Sequence, residues 1–315
     1  MFSTTSKSYT NVNNDHSTNE MKFRTELSPD PIQPALQYSD QIMVLGSCFA
    51  EHIGHRIARS GMTVMQNPLG IQYNPKSLRQ VMAYLCGERP FERSDIFEHM
   101  GRFRHWDLHS TLCGHSAQET FEQAQNAITQ GHEFLKSAQW LYLTVGSAHA
   151  WNRDGRTVAN CHKMPSSEFQ RVRLSIEECE TSLTALVQMA RRLNPSLHVV
   201  LTVSPVRYKR DGLIESQRSK STLLLAVDRV CQALTNVHYF PAYELVIDDL
   251  RDYRFMDSDL VHPNGMAIDY IWHKFQQCAV STSALHSLKT GEKEWKRHQH
   301  RSQNQPSKPI DPSST

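Results

Sequence analysis

Five short apolar runs divide this chain, and the stretches between them carry helical periodicity. The runs are Gln41–Leu45, Met62–Met65, Trp140–Val145, His198–Ser204 and Val237–Phe240. Each is β-branched or aromatic and bounded by turn residues, the pattern of a buried strand. Helices are expected over Phe49–Ser60, Pro75–Leu85, Gln118–Ala138, Ser175–Leu193, Ser216–Leu234 and Gly265–Cys278. Asn194-Pro195 supplies a stop signal for the fourth. Strands alternating with helices require a parallel sheet, because each crossover lays a helix on a sheet face. The expectation is therefore an α/β fold, a three-layer α/β/α sandwich around a five-stranded parallel sheet. A chain of 315 residues is long enough to bury such a core in one domain.

Three regions depart from the alternation. Residues 1–20 are rich in Asn, Ser and Thr, too polar to offset the entropy of ordering, and read as a disordered tail ahead of a domain over 21–285. A start at Met21 is compatible with this division. Residues 286–315, increasingly rich in Lys, Arg, His, Gln and Ser, read as a second disordered tail. Gly87–Ser116, with its "RFRHWDLHS", reads as an inserted subregion of about 87–116 near the carboxyl ends of the strands, where open α/β sheets carry their ligand crevice.

Composition narrows the function classes. Lys and Arg number 34 against 32 Asp and Glu, a net charge of +2 that gives no reason to expect nucleic acid as a partner. The seven cysteines form an odd set with no C-x-x-C pair, as in a reducing compartment. No apolar segment is long enough to span a bilayer, and a soluble cytoplasmic protein is expected.

Two stretches carry candidate chemistry. In "VLGSCFAEHIG" (44–54), Gly46, Ser47 and Cys48 occupy the seam between the first strand and its helix. A residue there lies at the sheet's carboxyl end and at a helix N-terminus, where free N–H groups and the helix dipole favour negative charge. Ser47 can be a nucleophile whose oxyanion is stabilised there, or simply an N-cap. Cys48 is the rival nucleophile, since a thiol at a helix N-terminus can ionise more readily; burial against the sheet is its other reading. In "DSDLVHPNG" (257–265), Asp259 and His262 stand three apart in a turn. That spacing lets the carboxylate reach Nδ1 and leaves Nε2 free to take a proton. The alternative is a turn-capping aspartate beside a surface histidine.

Other residues are ambiguous. Asp107 and His109 of "WDLHS" can project into the crevice, as can Asn160, Cys161, His162 and Lys163 of "NCHK", and Arg207 can hold a substrate anion. Each can equally be a salt bridge or a structured turn. His52 and His55 share a helix face but have no acidic or cysteine partner at metal-ligand spacing, so no metal is expected.

A serine after the first strand and D-x-x-H before the last helix follow the chain order of SGNH (GDSL-type) hydrolases. The segments "GSCFAEHIG", "NPLGIQYNP", "TVGSAHAW", "NCHKMP", "TVSPVR" and "DLRDYRFMDSDLVHPN" resemble, in order, the GSCFA family, an SGNH-like branch. The resemblance runs from about Lys22 to Phe275. It implies a flavodoxin-like sheet with strand order 2-1-3-4-5. It also implies Ser47 as nucleophile, His262 as base and Asp259 as its orienter. The N–H groups of Ser47 and Gly70 would line an oxyanion hole. Without the resemblance, Gly70 is equally a plain turn glycine. SGNH hydrolases follow strand three with a glycine and then an asparagine; here that turn reads Gly146, Ser147, Ala148, His149, with no asparagine until Asn152. Gly146 and Ser147, or Asn160 reaching in from its loop, are the candidate substitutes. The implied activity is that of an esterase or O-acyltransferase acting on a small or glycan-linked acyl ester, with no cofactor. The alternative is a non-catalytic carbohydrate-binding protein on the same scaffold.

Overall fold

The computed structural model describes residues 23–303. Its elements in chain order are β1 (Gln41–Gly46), α1 (Cys48–Arg59), β2 (Thr63–Gln66), α2 (Pro75–Leu85), β3 (Ile96–His99), β4 (Arg102–His105), α3 (Ala117–Ser137) and β5 (Trp140–Val145). There follow β6 (His149–Arg153), β7 (Arg156–Val158), β8 (Gln170–Arg173), α4 (Ile176–Leu193), β9 (His198–Val203) and α5 (Leu213–Ala233). The chain continues with β10 (Val237–Tyr239), a single turn α6 (Ala242–Glu244), a π-helical turn Leu245–Leu250, α7 (Gly265–Ala279) and α8 (Thr282–Gln303).

The central sheet has the order β10-β9-β5-β1-β2, and every neighbouring pair is parallel. The five strands and their 2-1-3-4-5 order are those the sequence implies. Strand periodicity sorts the core into two layers. Ile42, Val44, Trp140, Tyr142 and Val200 face α1, α7 and α8. Met43, Leu45, Leu141, Leu143, Val199 and Leu201 face α2, α3, α4 and α5. Both faces are apolar because both are covered, which is why these strands read as continuous apolar runs.

Two excursions leave this frame. The β3–β4 hairpin turns at Met100 and Gly101, both with positive φ, and lies within the inserted subregion expected over 87–116. The second, a three-stranded antiparallel sheet of order β7-β6-β8, directly follows the carboxyl end of β5 and adds strands to a stretch where the sequence pattern shows none. The two touch: Trp106, stacked on Phe97 of its own hairpin at 4.0 Å, meets Phe169 edge-on at 5.9 Å, and its carbonyl accepts the N–H groups of Ala159 and Asn160.

The C-terminal segment corrects the sequence reading. Within the stretch expected to be a disordered tail over 286–315, the chain is helical to Gln303. Ala284, Leu288, Gly291 and Trp295 recur every three or four residues and form the contact stripe. Leu288 is fully buried, Glu292 accepts from the Trp272 indole, and Arg59 lies 4.4 Å over the Trp295 ring. Composition misled because one narrow stripe suffices to dock a helix whose other faces are solvated. The polar tail expected over residues 1–20 lies outside the described residues, as do residues 304–315.

Gly291 gives this docking a decisive test. A Cβ there would sit 2.1 Å from the Ser60 carbonyl oxygen. On a detached helix Gly→Ala stabilises by about 1 kcal/mol. Here Gly291→Ala should destabilise by about 1–3 kcal/mol, as overpacking does, read as a lower urea midpoint. A raised midpoint would mean that α8 does not pack.

Candidate active site

The site is assembled at the carboxyl ends of β1, β5 and β9. Gly46 closes β1 with φ +140, and a Cβ there would lie 2.2 Å from the Thr144 carbonyl oxygen. Only glycine fits so close an approach of two backbones. The Gly46 backbone is then gripped on both sides. Its N–H donates to Asn67 Oδ1 at 2.8 Å, and its carbonyl accepts from Gln72 N–H at 2.9 Å. The "NPLG" turn after β2 thus fixes where β1 ends.

Ser47 comes next, as the N-cap residue of α1 with extended backbone. Its side chain makes no capping bond, and Oγ is buried with no hydrogen-bond partner. An N-cap serine normally accepts from the first helical turn. This one does not, so the capping account of Ser47 fails. Cys48 is half-buried, and desolvation pushes its thiol up, opposite to the shift a cysteine nucleophile needs.

Asp259 and His262 form the expected pair. Asp259 Oδ2 lies 2.5 Å from His262 Nδ1, while Oδ1 accepts the N–H groups of Val261 and His262 at 3.0 Å each. Those two backbone donors, with the imidazole, hold the Asp259 carboxyl far below the usual carboxylate range. The pair is solvent-facing, with side-chain exposures of 45% and 41%. Its loop is held to the turn after β9 by Arg207 N–H donating to the Val261 carbonyl and by the Lys209 ammonium donating to the Asp259 carbonyl. His262 is near enough to His52 on α1 for their charges to interact. No hydrogen bond joins His262 to Ser47.

Residues 41–275 match the model of the GSCFA family. The chain belongs to the GSCFA family. No curated protein matches its sequence. Among solved structures, the chain is similar to a Clostridium thermocellum family 3 carbohydrate esterase, with a TM-score of 0.37 at 9% identity over 76% of this chain and 94% of that one. It is also similar to a family 3 carbohydrate esterase from Talaromyces cellulolyticus, with a TM-score of 0.38 at 10% identity over 80% and 99% of the two chains. An acetyl esterase mutant with acetate ion gives a TM-score of 0.39 at 9% identity over 80% and 99%.

Other candidate residues of this GSCFA chain fare differently. The expected oxyanion donors are already committed. Ser47 N–H donates to the Thr144 carbonyl at 3.2 Å, Gly70 N–H to Asn67, and the N–H groups of Gly146 and Ser147 both to Tyr73. Gly70 has φ +82 and abuts His109, so it serves the turn that packs this half-exposed histidine. Ser147 Oγ accepts from His149 N–H at 3.0 Å and faces Ser219. Asn160 Oδ1 accepts from His162 N–H. His162 is buried against Phe97, with burial pushing its imidazole down to about 4, and bonds to the His105 carbonyl. It is structural rather than a substrate contact. Arg207 is tied to Ser216 and to the Leu213 carbonyl.

Asp107 is the clearest correction. Its carboxylate is fully buried, 2.6 Å from Arg156, 3.1 Å from Arg89 and 2.7 Å from the Tyr84 hydroxyl. It is the hub of a structural ion cluster and not a crevice ligand.

Three residues at the site escaped sequence reasoning. Tyr73 and Tyr208 meet edge-to-face at 6.3 Å beside Gly146. Beneath them Lys220 is fully buried, donating to the Gly146 and Ser204 carbonyls at 2.6 and 2.5 Å, and burial pushes its ammonium down to about 7. A signal for Lys220 existed. It occupies the buried stripe of α5 with Ser216, Leu223, Val227 and Val230, where a lysine has no reason to be unless it binds something.

The ion cluster yields a prediction. Asp107→Asn leaves two arginines facing a neutral group and should destabilise the protein by about 3–5 kcal/mol, the usual cost of breaking a buried pair. The Michaelis constant of the folded fraction for any ester substrate should stay unchanged. Urea unfolding and steady-state kinetics read the two; a changed Michaelis constant at normal stability would return Asp107 to the crevice.

Proposed function

We propose that the protein is a serine-dependent acyl-ester hydrolase or O-acyltransferase, in which Ser47 carries the acyl group. The observation that carries this is the Asp259–His262 pair. Asp259 accepts from two backbone N–H groups and takes the imidazole at Nδ1, which leaves Nε2 as the nitrogen available to a substrate-side proton. A merely structural aspartate–histidine contact has no need of this orientation at the rim of a sheet's carboxyl end. Ser47 supports it as a buried hydroxyl without a partner, at the N-terminus of α1 where the helix dipole favours an oxyanion.

In the reaction, Ser47 Oγ attacks the acyl carbon as His262 Nε2 takes its proton. Collapse of the tetrahedral intermediate breaks the bond to the alcohol, and the imidazolium returns the proton to the leaving oxygen. The acyl group on Ser47 then passes to water in a hydrolase or to a sugar hydroxyl in a transferase. Asp259 stays ionised throughout and stabilises the imidazolium. Small or glycan-linked acyl esters are the substrates of this reading, and its serine chemistry needs no metal or organic cofactor.

One observation favours the alternative of a non-catalytic carbohydrate-binding protein. Ser47 is 0% exposed and makes no bond to His262. A fluorophosphonate probe separates the two functions: covalent labelling at Ser47 is expected of the enzyme, and no labelling at high probe concentration of the binder.

With p-nitrophenyl acetate, Ser47→Ala and His262→Ala should each lower kcat/KM by about 10⁴-fold or more. Cys48→Ala should retain most of the activity. Near-normal turnover by a folded His262→Ala protein would make the pair structural, and loss confined to Cys48→Ala would move the nucleophile to the thiol.

A further inference from the structure

The chain lacks the asparagine that follows strand three in SGNH hydrolases, and the backbone N–H groups of Ser47, Gly70, Gly146 and Ser147 all donate to carbonyls of the protein. We propose that the Tyr208 hydroxyl is the oxyanion donor of this site, aimed across Gly146 at the acyl oxygen of a substrate on Ser47. The assignment rests on the serine chemistry proposed above.

Position is the first support. The point where a Cβ on Gly146 would sit lies 2.7 Å from the Tyr208 hydroxyl oxygen and 3.2 Å from Ser47 Cβ. With no side chain at 146, the phenol hydroxyl and the nucleophile come together on the same face of this glycine. Tyr73 Cδ1, 3.4 Å from the same point, closes a third side. Any side chain at 146 would collide with the Tyr208 hydroxyl and part it from Ser47.

The hydroxyl itself is the second support. It is buried and has no hydrogen-bond partner. Buried donors are nearly always paired, so an orphan beside an orphan serine calls for a ligand. Burial, first of all, raises the Tyr208 pKa well above its ordinary value. The group therefore keeps its proton and can only donate to an oxyanion; it does not act as a base.

Rigidity is the third. The Tyr208 N–H donates to Ser216 Oγ at 3.2 Å, and the Lys220 ammonium lies 5.4 Å from the ring centroid. Lys220 bonds in turn to the Gly146 and Ser204 carbonyls, so one buried ammonium holds both backbone segments, those after β5 and β9. Such preorganisation is what makes a donor effective, since no dipole has to reorient as charge develops. As Ser47 Oγ bonds to the acyl carbon, the carbonyl electron pair moves onto its oxygen, and the Tyr208 O–H donates to that oxygen without transferring its proton.

Tyr208→Phe is the test, because it keeps the ring and deletes only the hydroxyl. With p-nitrophenyl acetate, kcat should fall by about 100- to 1000-fold while KM stays within about threefold. The thermal midpoint should not fall, because the deleted group bonds to nothing in the protein. Two outcomes overturn the proposal: a kcat within about threefold of the parent, or a lowered midpoint that accounts for the lost rate. Ser47→Ala is measured in parallel. Activity that survives Ser47→Ala sinks the serine chemistry itself, whereas loss in Ser47→Ala with retention in Tyr208→Phe sinks the tyrosine alone.

Discussion

The close approach of Gly46 to the Thr144 carbonyl is the constraint on which the site depends. Two parallel strands run side by side until one ends in a residue without a side chain, and the next residue turns away from the sheet. Asn67 and Gln72 hold that peptide from the β2 side, so the end of β1 is fixed by the strands on both flanks. Any Cβ at position 46 would push β1 from β5 and take Ser47 with it. The packing of the sheet and the placing of the serine are one problem with one solution.

Around this point the site depends on buried polar groups rather than on an open pocket. Lys220 is an ammonium in the apolar interior, stabilised by two carbonyls and facing the Tyr208 and Tyr243 rings. A buried charge is tolerated only where such partners are supplied. The same carbonyls belong to the turns that follow β5 and β9. An electrostatic need in the core is thereby met by the backbone of the site, and neither can shift without the other.

The frame was legible in the sequence because β1, β5 and β9 are buried on both faces and the long helices between the strands are amphipathic. The bounds of α2 and β5 follow directly from that patterning, and those of β1 and β9 to within one residue. The Asp259–His262 pair was legible for a different reason: residues three apart in a turn meet without help from the rest of the chain. What stayed hidden depends on long-range contact. Asp107 and His162 carry the residue types of a site, yet their partners stand 49 and 57 positions away. Tyr208 and Lys220 gain their meaning only when β5 and β9 lie side by side. The docking of α8 escaped because its contact stripe of Ala284, Leu288, Gly291 and Trp295 is narrow and thinly spread through a segment rich in Lys, Arg, His and Gln.

The Asp107 cluster ties together segments that would otherwise be independent. Arg89 precedes the first excursion, Asp107 follows its hairpin, and Arg156 belongs to the second excursion. The carboxylate serves as a rivet between two antiparallel sheets that arise from different crossovers, with Gln80 of α2 adding a bond to the Thr157 carbonyl. Two riveted sheets cannot swing apart as separate flaps. Beside the buried serine, by contrast, stand side chains of the central frame, the edge-to-face rings of Tyr73 and Tyr208.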